Sequence, residues 1–330
     1  MMFFEPVLLT LIGFALLFDF LNGIHDSSNI VATMISSRAF SPRFALGVTA
    51  LAEFAGPFIF GVAVATTIGD EVVFENAVTM NVLLAALLSA IVWNLLTWFL
   101  GIPSSSSHAL IGGMIGAVAL GAGFGAIKIE GVSKVLIALF ASPIIGLAAG
   151  FLFTRLIFFL ARGASPKINT FFQKSQLITA VALALSHGTN DAQKTMGVIT
   201  LGLVTAGVLP SFHVPLWVVA ASAGAIALGT AFGGWRLIKT LGAKFYKIRP
   251  VHGFSTQLTS ATVILVASAV GGPVSTTQVV SSAIMGAGSA QRVSMVRWGV
   301  AKDILVAWVV TIPATAGVAA GIFWVLERVL

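Results

Sequence analysis

The sequence contains no cysteine, which excludes disulfides, thiolate metal sites and thiol chemistry, and leaves no sign of redox compartment. Charge is scarce as well. Only 9% of the 330 residues are charged, against roughly 25% in an ordinary soluble domain, so the chain cannot cover a water-facing surface. It has no His-Glu-x-x-His motif, and none of His108, His213 and His252 stands at zinc spacing from another ligand. An intramembrane enzyme would have little more than Ser105 with His108 to draw on, and no catalysed reaction is expected. What fills the sequence instead is apolar: 58% of residues are hydrophobic. Apolar runs of about 20 residues recur from end to end, the length a helix needs to cross the hydrocarbon core. The chain therefore reads as a multi-pass protein of the cell membrane, with the lipid bilayer as its solvent. Met1 to Pro6 has no basic stretch and no cleavage site followed by soluble sequence, so the first run reads as a membrane segment rather than a secretory signal. The net charge of +7 does not point to nucleic acid, because the basic residues sit in short connectors, where they attract anionic lipid and fix orientation.

Breaks between the apolar runs give ten candidate crossings, at 6–38, 43–67, 79–100, 103–127, 132–160, 176–208, 214–235, 254–272, 273–290 and 298–326. The first and sixth are long and carry a polar cluster in the middle, so each is expected to be a helix broken near the bilayer centre. Three sequence matches recur in the same order. Asn22-Gly23-Ile24-His25-Asp26-Ser27-Ser28-Asn29 aligns with His187-Gly188-Thr189-Asn190-Asp191-Ala192-Gln193-Lys194. Pro103-Ser104-Ser105-Ser106-Ser107-His108 aligns with Pro273-Val274-Ser275-Thr276-Thr277-Gln278, and Thr67-Ile68-Gly69 with Thr240-Leu241-Gly242. The chain reads as a duplicated unit: a first repeat over 1–160, a cytoplasmic linker over 161–176 with Arg162, Lys167 and Lys174, and a second repeat over 177–330. Basic connectors stay cytoplasmic. Arg38 and Arg43, the linker, the Arg236–Arg249 connector and the Arg292, Arg297 and Lys302 group read as inside, while Asp70, Glu71 and Glu75 read as outside. Five crossings per half then give opposite orientations. The expected fold is an all-α polytopic membrane protein of two inverted-topology repeats, with broken helices and hydroxyl-rich helical turns at the midplane, a common build for secondary transporters.

Asp26 and Asp191 lie inside apolar segments, where an ionisable group costs several kcal/mol or more unless it is paired, binds a cation or faces water. Around them stand His25, Ser27, Ser28 and Asn29 in one half, and His187, Thr189, Asn190, Gln193 and Lys194 in the other. These residues offer cation-ligating oxygens and anion-facing donors; a plain network tying helices together is the competing reading. After Pro103 and Pro273, the hydroxyls of Ser105, Ser106 and Ser107, and of Ser275, Thr276 and Thr277 with Gln278, fall at or near helix N-termini. A helix N-terminus binds a tetrahedral oxyanion without arginine. The alternative role for these hydroxyls is close helix packing beside Gly112, Gly113 and Gly116. Two carboxylates beside a dianion repel it, so the bound state needs Na⁺, protons or a divalent metal. Glu53 is either a third member of the cation site or the partner of a donor such as Asn94. Lys194 either faces the substrate or is held in a salt bridge to Asp191. His213 and His252 border connectors and are expected to be solvated, while His108 caps or lines the site.

The stretches Gly23–Asn29 and Ser186–Lys194 resemble the inorganic phosphate transporter (PiT) family. So do Pro103–His108, Gly272–Gln278 and Gly233-Gly234-Trp235-Arg236, and the resemblance covers nearly the whole chain. It implies an inverted-repeat transporter, usually a homodimer, that binds phosphate between two Asp-bearing broken helices and two hydroxyl-rich turns. By position, Asp26 and Asp191 with Asn190 belong to the cation and substrate centre. Ser105, Ser106 and Ser107 with Thr276 and Thr277 belong to the phosphate cradle. Where Na⁺-coupled members tend to carry Asn, this chain has His25, which resembles bacterial members that use protons and carry metal–phosphate complexes. Asn190 is retained in the second half, so H⁺ and Na⁺ both stay open as the co-transported ion, with no other cofactor. The sequence thus reads as a symporter importing inorganic phosphate by alternating access; a sulfate or other oxyanion permease of the same family, or an anion channel, is the alternative.

Overall fold

The computed structural model describes residues 5–74 and 77–329; Glu75 of the acidic connector, and the side chain of Asp70, lie outside the described residues. Among the described residues twelve α-helices account for most of the chain, and they fall into two series with the same order. The first series is α1 (Pro6–Ser36), α2 (Pro42–Phe60), α3 (Ala63–Thr66), α4 (Met80–Leu100), α5 (Ser106–Gly121) and α6 (Ile129–Leu160). The second is α7 (Ile168–Thr205), α8 (Leu216–Phe232), α9 (Trp235–Lys239), α10 (Pro250–Ala269), α11 (Thr276–Gln291) and α12 (Trp298–Val329). The small pieces correspond too. A π-helical turn follows α3 at Thr67–Glu71 and α9 at Thr240–Lys244, the two segments that share Thr-x-Gly.

The long polar-centred helices do not break where the sequence suggested. α1 and α7 run unbroken for 31 and 38 residues, through Asp26 and Asp191. Several of their central polar side chains bond to neighbouring helices without opening the backbone, among them Asn22, Asp26, Asn29 and Asn190. The second and seventh crossings break instead, at Gly61 (φ 82°) and Gly233 (φ 77°), positive angles that glycine adopts at little cost. The freed backbone groups find partners on the polar helices. Gln193 Oε1 accepts from the Val64 and Ala65 amides at 2.7 and 3.0 Å while its Nε2 donates to Gly61 O; in the other half Ser27 Oγ accepts from the Gly234 amide at 2.7 Å.

The fourth and ninth expected crossings are not full spans. α5 and α11 have 16 residues each, about 24 Å of helix, short of the hydrocarbon thickness. The preceding helices, α4 and α10, end on Gly101 and Gly271 in left-handed geometry, and Ser105 and Ser275 then cap α5 and α11. Among the described residues five helices, α1, α2, α4, α6 and α12, are long and apolar enough to cross a membrane, and a sixth span is possible if α8 and α9, bent by 61°, count together. α7 and α10 are long but interrupted by polar residues.

Packing exchanges elements between the series: α1 lies on α8 and α2 on α7, while α5 lies on α12 and α11 on α6. Glycines set the closeness. A Cβ on Gly23 would stand 2.1 Å from Ile226 O of α8, and one on Gly188 would stand 2.1 Å from Glu53 O of α2. α1 and α7 are antiparallel: Leu11 meets Gly202, Asn22 meets Asp191, and the Arg38 carbonyl meets Gln173. Both cross the same three layers. One apolar cluster holds Leu8–Phe18 of α1 and Met196–Leu203 of α7, a second holds Ile30–Met34 and Ala180–Ala184, and the polar residues lie between. Basic connectors gather at one end of the bundle, where Gln176 Nε2 donates to Pro250 O at 3.3 Å and the Arg297 amide to Phe245 O at 3.1 Å. The linker is shorter than expected, since Ile168 already begins α7.

Candidate functional site

Between the apolar layers, Asp26 and Asp191 converge from antiparallel helices and share two neighbours. The Thr276 hydroxyl lies 3.1 Å from Asp191 Oδ2 and 3.4 Å from Asp26 Oδ2; His187 Nε2 lies 3.3 and 3.6 Å from the same two oxygens. One ligand atom each from Asp26, His187 and Asp191 fall within 4.8 Å of one another, all buried, an arrangement that could hold a cation. Two ionised carboxyls so close repel each other, and a proton or cation between them relieves the repulsion.

Each carboxyl also has partners of its own. Asp26 Oδ1 meets His25 Nδ1 at 2.9 Å and accepts from the Thr277 hydroxyl at 3.0 Å, and Asn29 Nδ2 donates to that hydroxyl at 3.0 Å. Asp191 Oδ2 accepts from Asn22 Nδ2 at 3.3 Å, and Asp191 Oδ1 lies 3.0 Å from Lys194 Nζ. The Lys194 ammonium then reaches across to Ser106 Oγ at 2.9 Å and Ser107 Oγ at 3.1 Å. Lys194 thus does both things the sequence left open: it is salt-bridged to Asp191 and it faces the hydroxyl turn of α5. It is the one buried Lys or Arg side chain among the described residues.

The two hydroxyl-rich turns meet tip to tip. Ser107 Oγ donates to Val274 O at 3.0 Å, and the equivalent residues His108 and Gln278 approach each other at 3.5 Å. Within each turn the first hydroxyl serves the helix, Ser105 Oγ accepting from the His108 amide at 3.2 Å and Ser275 Oγ from the Gln278 amide at 3.3 Å. The next two hydroxyls, Ser106 with Ser107 and Thr276 with Thr277, face the centre. The first amides of α5 and α11 have no partner inside their own helices, so two positive helix ends point toward the buried charges.

Other expected members are placed differently. Asn190 turns away from the Asp pair, its Nδ2 donating to Ser268 Oγ at 2.8 Å and Gly272 O at 3.3 Å at the end of α10. Ser28 and Thr189 bond carbonyls of their own helices. Glu53 pairs with His187, Oε1 to Nδ1 at 2.5 Å, and not with Asn94, whose side-chain atoms are buried without a partner. His252, expected in solvent, is fully buried, with Tyr246 and Phe158 edge-on to its ring. His213 is exposed as expected.

The sequence placed His187 only among the donors around the Asp pair, and the structure makes it the hub of Glu53, Asp26 and Asp191. Its position opposite Asn22 in the repeat was the available signal. Asp19 was missed altogether. It is fully buried in α1, two turns before Asp26, and its Oδ1 accepts from the Thr195 hydroxyl at 2.6 Å; a carboxyl in the run Phe14–Phe20 was visible as a lone charge among apolar residues.

Comparison with known proteins agrees with this architecture. A model of the phosphate transporter family matches residues 22–166 and again 161–319. A probable low-affinity inorganic phosphate transporter of Bacillus subtilis is 46% identical over 320 residues, 96% of each chain. One of Rhizobium meliloti is 44% identical over 326 residues, 98% of each, and one of Mycobacterium tuberculosis is 43% identical over 93% of this chain and 74% of its own. A solved structure described as the sodium-dependent phosphate transporter has the same fold, with a TM-score of 0.89 over 99% of this chain and 100% of that one at 24% identity. Matched in both halves, and over 40% identical to relatives along nearly its whole length, this membrane protein belongs to the phosphate transporter family and is a transporter, not an enzyme.

Proposed function

We propose that the protein is a secondary symporter that imports inorganic phosphate with a cation by alternating access. The observation that carries this reading is the meeting of two hydroxyl-bearing helix N-termini, α5 and α11, with Asp26 and Asp191 at mid-depth. Phosphate is bound by Ser106, Ser107, Thr276 and Thr277 and the amides beside them, with Ser105, Ser275 and Gln278 shaping the turns. Asp26, Asp191, His25, Asn29 and Glu53 form the coupling centre, with Asn190 fixing the end of α10 next to it.

Electrostatics supports the coupling. Asp19, Asp26, Glu53 and Asp191 are buried against a single buried ammonium, so a dianion enters favourably only with accompanying positive charge. H⁺ and Na⁺ are both candidates; His25 beside Asp26 favours a proton, and metal–phosphate is a further form in which the anion could travel. The opposite sense of α1 and α7, together with the repeated element order, supports reading residues 1–160 and 177–330 as inverted repeats. The gathered basic connectors support a cytoplasmic position for that end. A homodimer in the plasma membrane follows from the family resemblance.

The test is uptake of labelled phosphate into proteoliposomes, with a proton or a Na⁺ gradient imposed separately and unlabelled sulfate as competitor. Uphill uptake driven by one gradient, and lost in Asp26→Asn and Asp191→Asn, is the expected result. Flux that neither gradient can drive uphill marks a channel, and sulfate uptake without phosphate uptake marks another oxyanion permease.

A further inference from the structure

Asp19 stands apart from the centre described above. Seven residues of α1 separate it from Asp26, a rise of about 10 Å, and it sits where the polar layer gives way to the apolar cluster of Leu8–Phe18. Its side chain is 0% exposed. Among the described residues the one hydrogen bond it makes is from a neutral donor, Thr195 Oγ1, at 2.6 Å. Its other oxygen, Oδ2, has no partner, and neither has the Oδ1 of Asn22, one turn further along the same face. Two buried acceptors are therefore left without a donor among the described residues.

No ion pair joins Asp19 to a basic side chain among the described residues. Lys194, whose charge acts on Asp19, is engaged by Asp191, Ser106 and Ser107. The other charges in range are carboxyls, Asp191 on α7 and Glu53 on α2. α4 and α8, which also pack on α1, contain no ionisable residue. α9, the turn at Thr240–Lys244 and α11 meet α1 from Ile24 onward, and the single ionisable residue of α10, His252, lies at its far end. An ionised carboxylate buried with a neutral partner alone costs several kcal/mol. A proton on Oδ2 removes that cost and supplies the missing donor. Asp19 is not among the His and Asp side chains that cluster closely enough to share a cation, Asp26, His187 and Asp191.

We propose that Asp19 is a proton-carrying group of the transport cycle, distinct from the Asp26–Asp191 pair. The inference rests on the symport reading and adds to it a named residue for the proton. The connection to the centre is short: Asn22 joins the Asp19 face of α1 to Asp191, and Thr195 is the neighbour of Lys194 on α7. Negative charge arriving with phosphate favours the protonated carboxyl, and by linkage the proton favours the anion equally. Release of phosphate to one side then releases the proton with it.

The test separates exchange from accumulation. Asp19→Asn keeps the acceptor for Thr195 and removes only the proton site. In proteoliposomes it is expected to exchange internal for external phosphate within about threefold of the parent. A one-unit pH gradient sustains about tenfold accumulation per coupled proton, and Asp19→Asn is expected to lose that factor. Accumulation equal to the parent overturns the proposal. So does loss of exchange in a well-folded variant, because Asp19 would then serve the phosphate site itself. Should Asp19→Asn fail to insert, Asp19→Glu takes its place: proton-driven accumulation must survive with a displaced pH profile, and an unchanged profile counts against the idea. A parent that exchanges phosphate but is driven by Na⁺ alone overturns this proposal and leaves phosphate transport standing. A parent that exchanges no phosphate removes both.

Discussion

Lys194 offers the sharpest check on the electrostatics of the centre. Its ammonium is 3.0 Å from Asp191 Oδ1 and within 3.1 Å of two serine hydroxyls, with the side chain 1% exposed. Lys194→Met keeps the bulk and removes the charge, which leaves Asp191 buried without its ammonium partner. Removing one partner of a buried pair costs about 3–5 kcal/mol. At about 2 °C per kcal/mol for a chain of this size, the melting temperature should fall by roughly 6–10 °C. Asp191→Asn strands the ammonium and should cost a similar amount. The double variant has neither charge, and because a buried pair replaced by neutral groups is often close to neutral, it should melt within about 4 °C of the parent. Detergent-solubilised protein, followed by tryptophan fluorescence at one fixed scan rate, gives all four corners of the cycle. Phosphate transport should be absent in both variants that lack Asp191, including the stable one. If the two single losses simply add in the double variant, or if Lys194→Met melts like the parent, the two buried charges do not compensate each other within α7 and the reasoning fails.

Other expectations follow from particular contacts. Gly188→Ala puts a Cβ 2.1 Å from Glu53 O; α2 must retreat, at a cost of about 1–3 kcal/mol, whereas Gly224→Ala on α8 meets nothing within 4 Å and should melt like the parent. Thr276→Val removes the hydroxyl that approaches both Asp carboxyls, and phosphate affinity, read as the half-saturating concentration for uptake, should weaken by about 10-fold, the effect of one hydrogen bond of about 1.4 kcal/mol, with melting little changed. Gln193→Leu strips three hydrogen bonds from the break at Gly61 and leaves the buried Val64 amide unsatisfied, so it should lower stability by about 2–4 kcal/mol; an unchanged melt would show that the break is held by packing alone.

The polar centre was legible because duplication singled it out. Asp26 and Asp191, and the paired hydroxyl turns after Pro103 and Pro273, stand at matching positions in otherwise apolar sequence, and the structure brings both pairs together. The breaks were misplaced for a physical reason. Polar residues in a helix need partners, not an open backbone, and side chains of Thr276, Thr277 and Asn22 supply them. Gly61 and Gly233 break the neighbouring helices because their backbones take up positive φ, which no hydropathy pattern reveals. Two of the motif residues, Ser27 and Gln193, turn out to repair those breaks. The Glu53–His187 bond spans 134 residues of sequence, and its carboxylate is replaced by an apolar residue in the second half, so repeat matching passed over it. α5 and α11 read as crossings in the sequence because length blurs where a proline-marked turn joins two apolar helices.

The exchange of helices between the two series bears on how the chain is made. α1 needs α8 and α2 needs α7, so the first half leaves the ribosome with its close-packing glycines facing partners that do not yet exist. At 5–20 residues per second, the roughly 165 residues between equivalent positions correspond to a wait on the order of ten seconds. Through that interval Asp19, Asp26 and Glu53 sit in membrane segments without the Thr195, His187 and Thr276 that later satisfy them. Neither half is a unit that can be finished alone: residues 1–160 synthesised by themselves should be degraded, and the same residues synthesised alongside 161–330 should be rescued.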